Sequence, residues 1–132
     1  APTAQNAQEI DVYVVMENGA YVYDAKAHAL TPVVGGDLRA LTGKQAFAKD
    51  APVTLVFVAD YARMGRASQE DRDLYSAADT GYISQNVYLF CASEGLATGV
   101  RASIDRPVLA KALKLRPEQK IILAQSVGYP KK

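Results

Sequence analysis

SQEDRDLYSAADTGYISQNVYLFCASEGLATGVRAS, residues 68–103, is the stretch that decides the fold. It reads as one long helix, a glycine stop and a short strand. Ser68 with Asp71 three residues on is an acidic variant of the capping box, which marks a helix start. No proline interrupts the following two dozen residues. Gly95 after Glu94 supplies the C′ signal, and Leu96 the hydrophobic contact that accompanies such a cap. Within the helix, Leu74, Ala77, Ala78, Gly81, Ser84, Val87, Tyr88 and Cys91 recur at three- and four-residue steps, predicting a buried stripe with small side chains at its middle. Gly81 costs a helix roughly 1 kcal/mol against alanine, so the sequence predicts another backbone packed closely there.

Downstream, ATGVRASI (97–104) reads as a strand. Asp105 caps a helix with Pro107 in its first turn, whose inner face is expected to be Val108, Leu109, Ala112 and Leu113. KIILAQSVGYP (120–130) is the last strand. Upstream, a polar connection with Arg63 and Arg66 separates the long helix from PVTLVFVAD (52–60), an apolar run rich in β-branched residues and expected to be a central strand buried on both faces. Further back, IDVYVVM (10–16), the turn ENG (17–19) and AYVYD (20–24) form a hairpin, with a third short strand over 30–34 before Gly35-Gly36. Asp37 caps a short helix, DLRALTG, with Gly43 as its stop, and 45–49 adds a helical turn. Strands come first and then alternate with helices, which predicts an α+β fold in a single domain over 1–132.

Composition narrows the function classes. The chain is 49% apolar and 22% charged, ordinary values for a globular domain. Its formal net charge of +1 gives no electrostatic case for nucleic acid or an acidic membrane surface. There is neither a membrane-length apolar run nor a signal peptide, so a cytoplasmic location is expected; a leader already removed from a longer precursor would leave no trace. The single cysteine, Cys91, allows no internal disulfide and reads as a small core residue, and the single histidine, His28, as a solvated hairpin residue. Zinc chemistry and a Ser-His-Asp triad are therefore not expected. Most tyrosines read as strand and core filler. Gly95–Gly99 follows a helix and is no dinucleotide fingerprint, which follows a strand and opens a helix.

Four motifs in order carry a resemblance that spacing alone does not supply. Asp79-x-Gly81-x-x-x-Gln85-Asn86-x-x-Leu89 followed by Glu94-Gly95-Leu96 resembles the long central helix of the nitroreductase family of FMN-dependent oxidoreductases. Ser126-Val127-Gly128-Tyr129-Pro130-Lys131 resembles its last core strand. Ala1–Gln8 is similar to its Pro-Ser-x-x-Asn-x-Gln segment, with Thr3 in place of serine. Gly19–Asp24 resembles the branch that includes the thiazoline-oxidase (SagB-type) enzymes.

The resemblance implies a nitroreductase-like fold, a central, mainly antiparallel sheet flanked by helices with one long central helix. It also implies an intertwined homodimer that passes a hydride between a nicotinamide donor and a small organic acceptor. The cofactor performs the hydride chemistry, so no catalytic side chain is required. The cofactor contacts implied are Pro2, Thr3, Asn6, Gln45, Arg101, Ala102, Ser103, Lys131 and Lys132. Asn6, both donor and acceptor, suits the edge of the isoalloxazine ring across a dimer interface; its other reading is a turn-stabilising asparagine. Thr3 gives its hydroxyl to the cofactor or caps the first turn. Gln45, with Lys44 beside it, meets the ring's polar edge or is simply exposed. Arg101-Ala102-Ser103 stands where relatives run backbone N–H groups past flavin N5; Arg101 alternatively is a surface strand residue. Lys131 and Lys132 match a basic ending that reaches the phosphate, or form a solvated tail. Relatives carry an Arg-x-Ser-x-Arg segment before the proline motif, so this chain is expected to be a fragment or an N-terminally shortened member. Two other functions stay open: a non-catalytic dimerising or small-molecule-binding half-domain without flavin, and an oxidase of peptide-derived azolines.

Overall fold

The computed structural model describes residues 1–131. Among them, Ile10–Met16 (β1), Gly19–Asp24 (β2), Ala29–Gly35 (β3), Val53–Asp60 (β4), Ala97–Arg101 (β5) and Gln119–Gly128 (β6) form one sheet in the order β3-β2-β1-β4-β6-β5. Every neighbouring pair is antiparallel, as hairpin-rich sequence favours. Two α-helices accompany it, Gln69–Glu94 (α1) and Arg106–Ala112 (α2). The α+β expectation and the strand order along the chain both hold.

β4 is the central strand its composition predicts, and Thr54 and every residue from Val56 to Asp60 are buried. One of its faces belongs to an apolar layer. Tyr13, Val15, Ala20, Val56, Val58, Ile121 and Ala124 line the sheet there, and Ile104, Leu109 and Leu113 close over it. Ile121 and Ala124 share that face although three residues apart, because the register against β4 slips by one between Val58↔Ile121 and Phe57↔Leu123. The Arg106 guanidinium donates to the carbonyls of Ile121 (3.0 Å) and Ile122 (2.6 Å) at the bulge. The expected cap of α2 is present, with Asp105 Oδ1 accepting from Val108 N–H at 3.3 Å. Val108 itself is exposed, contrary to its expected inner position. In a helix of seven residues only Leu109 is fully turned inward, and Val108 lies about 100° round from it.

α1 packs on β1, β5 and β6. Ser68 Oγ accepts from Asp71 N–H at 3.1 Å, and at the other end Gly95 is left-handed (φ 69°). The N–H groups of Gly95 and Leu96 both donate to the Cys91 carbonyl, the expected glycine cap. The predicted stripe needs correcting. The residues buried along α1 are Ser76, Asp79, Thr80, Ser84 and Cys91, whereas Leu74, Ala77, Ala78 and Gly81 are exposed. A Cβ built on Gly81 meets nothing within 4 Å, so no backbone of this chain approaches it. The row through 74, 78 and 81 lies two positions from the row through 76, 80 and 83, about 200° around the helix. Ser84 and Cys91 of the predicted stripe are buried as expected, whereas Ala77, Ala78 and Gly81 face away from the sheet, together with Leu74, Tyr82 and Leu89.

The 37–43 segment is a 3₁₀ turn, Arg39–Thr42, with Asp37 Oδ1 accepting from Arg39 N–H at 3.1 Å, and Ala46–Asp50 is a second. His28 sits exposed in the β2–β3 turn as expected, its Nδ1 2.8 Å from the Tyr23 hydroxyl. Cys91 is a buried core residue. Among the described residues, no helix is long and apolar enough to cross a membrane.

Candidate functional site

The polar residues singled out by the sequence fall into three places. The first is the arm before β1, where a 3₁₀ turn, Ala4–Asn6, is closed by Asn6 N–H to the Thr3 carbonyl at 3.0 Å. Thr3 Oγ1 accepts from Gln8 N–H (3.1 Å), and the Gln8 amide donates to Asn6 Oδ1 (3.0 Å). Gln5, Asn6 and Gln8 all have φ near +50°, a conformation that non-glycine residues hold only when neighbouring contacts fix it. Thr3 and Asn6 thus brace the arm internally, and Asn6 stays exposed.

What fixes the arm to the body is a buried acidic pair. Ala4 N–H donates to both oxygens of Asp79 on α1, at 3.3 and 3.4 Å. Beside Asp79 lies Glu9, fully buried, with neither carboxylate oxygen meeting a donor among the described residues. Burial and the charge of the neighbouring Asp79 carboxylate push the Glu9 carboxyl up to about 7. Sequence reasoning missed Glu9, because a single acid ahead of an apolar strand carries no sign of burial.

The second place joins two loops. Lys44 N–H donates to the Ser103 carbonyl at 2.9 Å, which sets Lys44 and Gln45 beside Ala102 and Ser103, all four exposed. Ala102 and Ser103 follow the last ladder pair of β5, Arg101↔Ala124. Arg101 is neither a surface strand residue nor open to solvent, being 6% exposed. Its guanidinium donates to the Thr42 carbonyl, to Ser126 Oγ (2.6 Å), and at longer range to Thr42 Oγ1 (3.2 Å) and Thr54 Oγ1 (3.4 Å). Gly43 is not the helix stop the sequence predicts. Its φ is −174°, extended, and a Cβ there would overlap Arg101 Nη1 and stand 3.1 Å from the guanidinium carbon. Glycine is present to admit the arginine.

The third place is the end of the chain, where Lys131 is exposed beyond β6. Lys132 lies outside the described residues. These places are not all brought together. Ile10 pairs with Ala59 at one end of β4, and Val127 pairs with Val53 at the other. The arm and Lys131 therefore flank opposite ends of an eight-residue strand, separated by roughly 20–25 Å at about 3.3 Å per residue.

A family model described as the nitroreductase family matches residues 1–129. The chain belongs to the nitroreductase family. A nitroreductase-family protein of Methanocaldococcus jannaschii is 31% identical over 107 residues, which is 74% of this chain and 54% of that relative. A crystal structure of a Ralstonia eutropha nitroreductase-family protein is 39% identical, with a TM-score of 0.94 over 100% of this chain and 63% of its own. The NADPH:FMN oxidoreductase of Vibrio harveyi, solved with NAD+, shares the fold at 21% identity and a TM-score of 0.72, over 100% of this chain and 55% of its own. This nitroreductase domain thus spans about half the length of the curated relative it matches.

Proposed function

We propose that this nitroreductase-family chain binds FMN between two copies of itself and takes part in hydride transfer from a nicotinamide donor to a small organic acceptor. The observation that carries this reading is the separation of the candidate residues. A single copy holds Asn6, assigned to the ring, and Lys131, assigned to the phosphate, at opposite ends of β4, roughly 20–25 Å apart at about 3.3 Å per residue, which favours a site completed by a second copy. The proposed pairing is two-fold and runs through the outward face of α1, so that a second copy completes the site. That face offers Leu74, Tyr82 and Leu89, each more than half exposed, around the flat surface of Ala77, Ala78 and Gly81.

The residues present fit the ring better than the phosphate. Lys44, Gln45 and the amides of Ala102 and Ser103 form one strip of donors on a single surface, held by the Lys44–Ser103 bond. The Asn6 amide supplies a donor and acceptor pair from the arm, braced by Gln8. Around the end of β6, Lys131 is the exposed cation for a phosphate, with Lys132 next to it in sequence. When bound, FMN supplies the hydride chemistry, and the chain's part is to hold the ring, exclude water and set the field around it. Gln45 and Lys44 would orient the ring's polar edge, and the backbone at Ala102 and Ser103 would face the ring without dependence on side-chain identity.

Titrating FMN into the protein and following flavin fluorescence tests this. Asn6→Ala and Gln45→Ala should each weaken binding about tenfold, the loss of one net hydrogen bond. Absence of binding would favour the alternative of a dimerising half-domain without flavin, and binding indifferent to both substitutions would remove Asn6 and Gln45 from the site.

A further inference from the structure

Arg101 is the one feature of the loop surface that stability does not account for. Each of its partners is a neutral oxygen, from Thr42, Thr54 and Ser126, and its Nε meets no acceptor among the described residues. No carboxylate pairs with it among the described residues. A buried cation without a counter-ion is costly, and an apolar side chain of similar volume would remove that cost. The surroundings are nevertheless shaped for a guanidinium. Thr42 ends the 3₁₀ turn that leads directly into Gly43–Gln45, so holding its carbonyl fixes where that loop begins. Gly43 leaves the room the planar group needs. The ring of the exposed Phe47 covers it, 5.9 Å from the guanidinium carbon. Two residues on from Arg101, Ser103 receives Lys44 N–H and closes the loop pair.

We propose that Arg101 is a positioning residue whose guanidinium sets the Gly43–Gln45 loop against Ala102–Ser103 and places a fixed positive charge behind the surface they present. The ligand class such a surface takes is a planar molecule with an electron-rich carbonyl edge. Its identity as flavin rests on the function proposed above; the placement of the loops does not.

The test compares amide hydrogen exchange at Lys44 with that of core amides at Val56 and Val58, in the native protein, R101K, R101M, G43A and the R101M/G43A double variant, alongside FMN titration of each. Lys44 should exchange about tenfold faster in R101M while Val56 and Val58 keep their protection. R101K, which keeps the charge but not the planar fork, should lie between. G43A needs no unusual backbone, so it should loosen Lys44 only by displacing the guanidinium, and the double variant should be no worse than R101M alone. FMN affinity should fall in the same order. Lys44 exchange unchanged in both R101M and G43A, or Lys44 and the core amides speeding up together, overturns the proposal. A native protein that binds no FMN, with the Lys44 response intact, overturns the flavin reading and supports the positioning role. Should R101M fail to fold, the contrast between G43A and R101K decides.

Discussion

The two faces of the sheet are built on different physics. The face under α2 is an apolar layer in which Val56, Val58, Leu109 and Leu113 exclude water, and its energy scales with buried area. The face under α1 is joined largely through polar groups. Ser84 Oγ donates to Gln125 Oε1 at 2.8 Å, Val100 N–H donates to the Tyr88 hydroxyl at 2.9 Å, and Glu9 and Asp79 are buried together. An apolar layer tolerates small shifts of its members. Directional bonds fix a long helix at one rotation and one depth, which a helix presenting a surface to a second copy requires. The difference teaches that α1 is oriented by polar contacts inward and offers its apolar residues outward.

That contrast breaks most visibly at Leu109. Leu109→Ala opens a cavity in the apolar layer and should cost about 2–5 kcal/mol, read as a shift in urea midpoint. A cost near that of a surface residue would mean that the layer is loosely packed and the contrast is false.

The acidic pair gives the next effect. Glu9 titrates near 7 when folded, against the ordinary 4.5. Between those values the folded chain binds the proton that the unfolded chain has lost, so stability is highest below about pH 4.5 and falls as pH rises through 7. The loss should approach 3 kcal/mol, about 1.4 kcal/mol for each pH unit. Glu9→Gln, which can donate to Asp79 at any pH, should remove that slope. Denaturant midpoints across pH 4–8 that move in parallel for both proteins would show that Glu9 is ionised throughout.

A smaller effect sharpens the polar side. Ser84→Ala leaves Gln125 Oε1 buried without its donor and should cost about 1–3 kcal/mol, although it removes a single oxygen and leaves a smaller side chain. Calorimetry showing no change would mean that Gln125 finds another partner and that this bond does not orient α1.

Much of the fold was legible because its signals are local. The Ser68 and Asp105 caps, the Gly95 stop, the hairpin turn at 17–19 and the β-branched strand read at 52–60 all hold where the sequence puts them, the strand running Val53–Asp60. The inward face of α1 was legible only at Ser84 and Cys91, since periodicity assumes that apolar residues point inward. Here Ser76, Asp79, Thr80 and Ser84 point inward, and Leu74, Tyr82, Leu89 and Phe90 point outward. The site was readable only in part. Lys44 and Ser103 meet through a backbone bond with no side-chain signature, and the environment of Arg101 comes from Thr42, Thr54 and Ser126, far apart in the chain. Asn6 and Lys131 carry nothing in the sequence that says they lie at opposite ends of a strand.

Self-association through the outward face of α1, with FMN held between the copies, is the central claim. Sedimentation velocity of the protein with equimolar FMN, recorded at the flavin's visible absorbance, tests it for the native chain and for Gly81→Leu. In one copy Gly81 faces open space, so leucine there fits the single chain and even favours the helix, by up to roughly 1 kcal/mol. The native chain should carry the flavin in a boundary with the mass of a dimer, and Gly81→Leu should leave it as free flavin beside a folded monomer. Flavin sedimenting with a monomer, or with both proteins alike, would contradict the claim.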